Sequence, residues 1–218
     1  MGVEGKVPMV RKAKVRPYYK LDSRLTSRGP GWEFANRATL QPDKTGMKPK
    51  VGWPDGLFVL PRGPWTLPAF LEPPRFIFDR KLGHEPGDIE MIDGVFFISP
   101  RMKTVFEELA PGGCDFRRCT TEYCNGKPGP ELWLCSVIQA FRDAIDKETS
   151  TVHISPDGGY AFWGKVDLKF RPEAIGDAHV FRLAEYSISV FCDEAFKARC
   201  KEIGIKGASF DRIGELVQ

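Results

Sequence analysis

Two stretches of this chain lie on one another without a gap when one is slid by 94 positions, and that correspondence limits the folds open to it. Residues 190–210, VFCDEAFKARCKEIGIKGASF, align with residues 96–116, FFISPRMKTVFEELAPGGCDF. Phe191 matches Phe97, Lys197 matches Lys103, Glu202 matches Glu108, Gly207 matches Gly113 and Phe210 matches Phe116. Ser99 and Asp193 share the position of a helix N-cap. Beyond them Met102 and Phe196, Phe106 and Cys200, and Leu109 and Ile203 recur at helical spacing. The pattern predicts one strand–helix–turn–strand unit used twice, with helices over 100–109 and 194–203 packed on sheet and a glycine turning the chain back. Lys103, Glu107, Glu108, Lys197, Lys201 and Glu202 are what a solvated helix face requires, so the unit reads as scaffold.

The rest of the chain changes character near residue 90. Twelve of the eighteen prolines precede that point, which excludes long helices there and cuts any strand short. Trp32, Phe34, Trp53, Phe58, Trp65, Phe70, Phe76 and Phe78 give the same region too much apolar area for a disordered segment, so it is expected to pack as loops and short strands. After residue 90, GVFFI reads as a buried strand, and CDFRRCTTEYC (114–124) with ELWLCSV (131–137) reads as a long-looped hairpin around the Asn-Gly turn. VIQAFRDAIDKE (137–148) has helical spacing, YAFWGKVDLKF alternates as a half-buried strand, and HVFRL (179–183) with ISVFC (188–192) makes a second hairpin. The expected fold class is α+β: a mixed sheet with two similar strand–helix–strand units and a proline-rich, loop-dominated N-terminal half. Its expected divisions are a basic arm over 1–20, an aromatic subdomain over 21–90 and an α+β domain over 91–218.

Charge and chemistry-bearing residues narrow the function classes. The net charge is +3, yet residues 1–20 alone hold six Lys or Arg against Glu4, so the body is slightly acidic. A basic arm can track phosphates, but a solvated terminus whose removal leaves folding intact is the simpler expectation. No apolar run reaches the roughly 20 residues of a membrane span, and the first residues lack an apolar signal core, so a cytoplasmic protein is expected. Cys114, Cys119, Cys124 and Cys135 are spaced too widely for zinc knuckles and read as packed thiols, with no metal required. His84, His153 and His179 sit in separate segments without an Asp or Ser at motif spacing. His179 reads as a packed, hydrogen-bonded residue and Arg182, near Glu185, as half of a structural ion pair. An enzyme would have to be built on a pair such as Cys192 with His179; no catalytic, cofactor-binding or metal residue is assigned.

These residues carry a resemblance. DGVFFISPRMKTVFEELAPGGCDF, AIDKETS and DAHVFRLAEYSISVFCDEAFKARCKEIGIKGASFDRI resemble immunity protein family eleven of bacterial polymorphic toxin systems over roughly residues 90–213. The family's run maps onto Phe181, Arg182, Leu183, Asp193, Glu194, Gly207 and Phe210, and its acidic helix end followed by serine onto Asp146 and Ser150. The cysteine-bearing hairpin and the proline-rich half fall outside the pattern. The resemblance implies a non-enzymatic inhibitor, without a cofactor, that binds a cognate toxin domain, a nuclease or another toxin acting in the cytoplasm. The toxin-binding residues stay unassigned. Two readings from other classes remain beside it: a nucleic-acid-associated protein using the basic arm, and a small Cys–His hydrolase.

Overall fold

A computed structural model of the chain describes residues 15–24, 31–36, 63, 65–67, 69–92, 94–156, 158–162 and 166–217. Residues 1–14 of the expected arm, and Trp53 and Phe58 of the aromatic segment, lie outside the described residues. The strands are β1 (Val15–Ser23), β2 (Trp32–Phe34), β3 (Arg75–Phe78), β4 (Ile89–Ile92) and β5 (Val95–Ile98). After α1 (Pro100–Leu109) come β6 (Cys114–Arg118), β7 (Thr120–Tyr123), β8 (Trp133–Val137), β9 (Ala140–Phe141), β10 (His153–Ile154), β11 (Tyr160–Ala161) and β12 (Leu168–Phe170). The short α2 (Pro172–Ile175), β13 (Val180–Leu183), β14 (Tyr186–Asp193), α3 (Glu194–Glu202) and β15 (Ala208–Val217) complete the order. The protein is sheet-rich with mixed strand directions and belongs to the α+β class.

Both longer helices begin where their caps dictate. Ser99 accepts from the backbone N–H of Met102 and Pro100 fills the first turn, while Met102, Val105 and Phe106 are buried. Asp193 accepts from Phe196 N–H, Glu194 faces the positive end of the α3 dipole, and Arg199 and Lys201 face the negative end. The helices run antiparallel: Arg101, in the first turn of α1, donates to the carbonyls of Ile203 and Gly204, beyond the end of α3. Arg199 of α3 forks onto Glu108 of α1, and the rings of Phe106 and Phe196 meet at 5.1 Å.

A four-stranded sheet of order β4-β5-β8-β6 lies with α1, and a six-stranded sheet of order β12-β15-β1-β14-β13-β9 lies with α3. In the first, β8 separates β5 from β6 and is antiparallel to both. In the second, β1 separates β14 from β15 and is antiparallel to both. The registers correspond residue by residue under the 94-position shift. Phe96 faces Cys135, which faces Phe116, and Val190 faces Leu21, which faces Phe210. Ile98, Trp133 and Arg118 form one row, and Cys192, Tyr19 and Arg212 form its counterpart. Each hairpin is also closed alike, by Ser99 N–H on Asp88 O and by Asp193 N–H on His179 O, both at 3.0 Å.

One core lies between the helices and the sheets, built from Tyr19, Leu21, Phe96, Ile98, Phe106, Val190 and Phe196 among others. The opposite sheet faces are covered as well. Phe97, Val95 and Leu134 pack against Phe76 and Phe78 of a three-stranded sheet of order β2-β3-β7. Tyr18, Phe181, Phe191 and Leu216 pack against Leu168, Phe170 and Ile175.

Three expectations need correction. Residues 15–20 are not part of a free arm: β1 is an interior strand in which Tyr18 and Leu21 are fully buried. Strand alternation sends Tyr18 into one core and Tyr19 and Leu21 into the other, so both faces of β1 are used. The stretch 137–148 is not a helix. Ala140 and Phe141 pair in parallel with β13, Asp143 takes φ 51°, and the Asp146 side chain accepts from Glu148 N–H and Thr149 Oγ1 in a turn. The 114–124 strand is broken at Cys119: β6 pairs with β8 as a hairpin would, whereas β7 crosses to lie parallel to β3.

Candidate binding surface

The residues offered for catalysis are placed in structural roles. Cys192 is fully buried, and burial pushes its thiol well above the ordinary value, the opposite of what a nucleophile needs. It lies in register with Val180, next to His179, but the His179 ring is otherwise engaged. Its Nδ1 stands 2.8 Å from Asp193 Oδ2 and 3.1 Å from an Arg16 guanidinium nitrogen. His84 Nε2 meets Glu90 Oε1 at 3.0 Å, and Glu90 Oε2 accepts from the Trp32 indole, which ties β2 and the turn after β3 to β4. His153 lies on the exposed β10, where it pairs with Ala161 of β11.

Arg182 is wholly buried and bridges main-chain segments. Its Nε donates to Val137 O at 2.7 Å and a terminal nitrogen donates to Gly94 O at 3.0 Å. Burial lowers its pKa to about 10. The ion pair expected with Glu185 is replaced by another arrangement, in which Glu185 Oε1 accepts from Asp143 N–H. The six cysteines are free thiols. Cys119, Cys135, Cys192 and Cys200 are buried, Cys114 is half-buried and Cys124 is exposed. Burial pushes Cys119 and Cys200 up to about 12. Among the described residues, no three His, Cys, Asp or Glu side chains converge as a metal site, and no helix is long and apolar enough to cross a membrane.

The polar cluster with the densest bonding was not legible in the sequence, because its parts are remote. Asp193 is 3% exposed and joins Arg16 from β1, His179 from the start of β13 and the α3 N-terminus. Arg16 also donates to Gly176 O at 3.1 Å and Ala178 O at 2.9 Å. The cluster centres on the buried Asp193, with Arg16 and His179 partly exposed, and ties β1, β13 and α3 together.

Partially exposed aromatic side chains suited to a macromolecular partner occur beside the helices. Lys103 of α1 holds its ammonium 4.9 Å from the Phe116 ring and 5.0 Å from the Trp133 ring. Lys197 of α3 stands 3.8 Å from the Tyr19 ring in the corresponding place. The two differ in access: Tyr19 is 7% exposed, whereas Phe116 and Trp133 are both half-buried. Arg118, opposite Trp133 in the ladder, pairs with Glu131 in solvent. The first patch therefore offers two aromatic rings and a charged rim, and the second is sealed.

Comparison with protein families finds a match over residues 17–215 to the Immunity protein family (Imm11). The chain belongs to this family. No curated protein matches it. The Imm11 match takes in β1 through most of β15, so the proline-rich part and the cysteine-bearing strands, thought to fall outside the family pattern, are inside it. The Imm11 residues singled out in the sequence are supporting ones. Phe181 and Leu183 line the core beneath β13, Arg182 bridges carbonyls and Asp193 caps α3. Gly207 adopts φ 90° with Ile89 O 2.9 Å from where a Cβ would stand. Ser150 Oγ accepts from Lys169 N–H at 2.8 Å, while Asp146 organises the adjoining turn. Membership in an immunity protein family points to a toxin as partner.

Proposed function

We propose that this protein neutralises a cognate toxin of a bacterial polymorphic toxin system by forming a stoichiometric complex in the cytoplasm, without chemistry of its own. The observation that carries the reading is the family match, which spans both sheet–helix units. The engagement of His179 by Asp193 and Arg16 and the burial of Cys192 support an inhibitor over a hydrolase. Arg16 and Lys20 support it over a nucleic-acid arm, since both belong to an interior strand and pair with Asp193 and Asp22. The two strand–helix–strand units are one packing solution used twice, and they serve as scaffold.

We assign the toxin contact to the patch of Lys103, Phe116 and Trp133 with Arg118 at its rim. Half-exposed tryptophan beside a cation is the composition of an interface hot spot, and a standard interface of about 1,600 Å² would extend from it over α1. The test is coexpression with the cognate toxin domain. Wild-type protein is expected to rescue growth and to elute with the toxin as one complex. Lys103→Glu combined with Arg118→Glu is expected to lose both while keeping the wild-type circular dichroism spectrum, with a small drop in melting temperature because Lys103 also pairs with Glu107 and lies on both rings. Rescue without a complex, or rescue that needs His179 while binding does not, refutes inhibition by binding.

A further inference from the structure

The strand that completes the second unit comes from a distant part of the chain. In the first unit, the slot between β5 and β6 is filled by β8, which follows β6 directly after the excursion through β7. In the second, the corresponding slot between β14 and β15 is filled by β1, from the other end of the described chain and in the same orientation. Equivalent slots thus accept strands delivered by different connections. The slot selects a strand by its backbone edges and side-chain pattern, and connectivity is secondary.

The contacts of β1 fit that view. β15 pairs with it along Val15 to Ser23 and β14 pairs with Tyr18 to Leu21, so both backbone edges of the segment are used. Tyr18 enters one core, while Tyr19 and Leu21 enter the other. Arg16 is the polar key: it reaches Asp193, the carbonyls of Gly176 and Ala178, and His179 Nδ1. The Tyr18 hydroxyl also reaches Ala178 O at 3.4 Å. A mismatched segment would leave Asp193 buried without its cation, which gives the slot selectivity.

We infer that the space between β14 and β15 is a peptide-binding slot, whose ligand is an extended segment of the pattern Arg-x-Tyr-Tyr-x-Leu, held whether or not it is joined to the chain that holds it. This is strand complementation, in which main-chain hydrogen bonds supply affinity and alternate side chains supply specificity.

The test starts from the full chain carrying a protease site between Arg24 and Gly31 and a dye on its N-terminal side. After cutting under native conditions, the labelled segment is expected to co-elute with the remainder. The remainder, separated from the segment in denaturant, is expected to regain its spectrum only when the peptide of residues 1–24 is added. Unlabelled peptide in excess should replace the labelled segment, and Arg16→Ala should speed that replacement about 10- to 100-fold, the loss of a charge-assisted set of bonds. Three results overturn the inference: loss of the segment with no change in the remainder's melting temperature, failure to refold with peptide present, or an exchange rate indifferent to Arg16→Ala.

Discussion

Replacing Asp193 with alanine removes two separable contributions, and the fold supplies the means to separate them. The first is the α3 cap, a 3.0 Å bond from Phe196 N–H to Oδ1, worth about 1 kcal/mol. The second is the clamp at Oδ2, where Arg16 Nε stands at 2.8 Å and His179 Nδ1 at 2.8 Å. Charge-assisted bonds of this kind contribute about 1.5–3 kcal/mol. Arg16 keeps its carbonyl acceptors and some access to water after the change, which holds the cost of the stranded cation near the lower end. Asp193→Ala should therefore lose about 2.5–3 kcal/mol, a shift in melting temperature of roughly 5–12 °C for a chain of this size. The first unit caps its helix with Ser99 in the matching position, so Asp193→Ser should restore the cap but not the clamp and recover about 1 kcal/mol. A double-mutant cycle between Arg16→Ala and Asp193→Ala should give a coupling of about 1–3 kcal/mol. Urea denaturation measures all four. A loss below about 1 kcal/mol for Asp193→Ala, or equal losses for Ala and Ser, would refute the division into cap and clamp.

Further outcomes are expected elsewhere. Gly207→Ala should cost about 2–4 kcal/mol in urea denaturation, because φ is 90° and the new methyl would lie 2.9 Å from Ile89 O. Phe196→Ala, which empties the contact with Phe106, should cost about 3–5 kcal/mol by the same assay. In alkylation of the native protein followed by mass spectrometry, Cys124 should react first and Cys114 more slowly, while Cys119, Cys135, Cys192 and Cys200 should react only on unfolding. Buried thiols also set an alkaline limit. Cys119 ordinarily titrates near 9 and is pushed up to about 12 by burial, so the folded state holds its proton longer than the unfolded state does. Stability is thus full below pH 9 and declines as pH rises toward 12, and Cys119→Ala should make the decline of the urea midpoint shallower.

What the sequence disclosed and what it hid follow one physical division. Local signals were legible: Ser99 and Asp193 before apolar residues at helical spacing mark the starts of α1 and α3, and HVFRL with ISVFC marks the β13–β14 hairpin. Partners set by tertiary packing were not. Val137, Ile138, Phe141 and Ile145 have helical spacing, yet the chain there bonds to Arg182 and β13 and bridges Ile145 to Phe170. In β1, basic residues at Arg16 and Lys20 look like a solvated tail until Asp193, 177 residues away, is seen beside Arg16. The patch at Lys103, Phe116 and Trp133 is equally hidden, since its three members come from α1, β6 and β8.

The place of β1 has a consequence for the order of events on the ribosome. Val15 lies opposite Val217, so β1 must wait through about 200 further residues of synthesis for its partner β15. At about 5–20 residues per second, translation leaves Tyr18 and Leu21 without their native neighbours for roughly 10–40 s. The first unit meets no such delay, since β4 to β8 emerge in one continuous run. The four-stranded sheet can therefore pair during synthesis, whereas the core it shares with the second unit, which takes in Tyr19, Leu21, Val190 and Phe196, closes only once β15 has emerged. A chain still short of β15 has no closed second sheet, so any activity that needs that sheet begins only once β15 is in place.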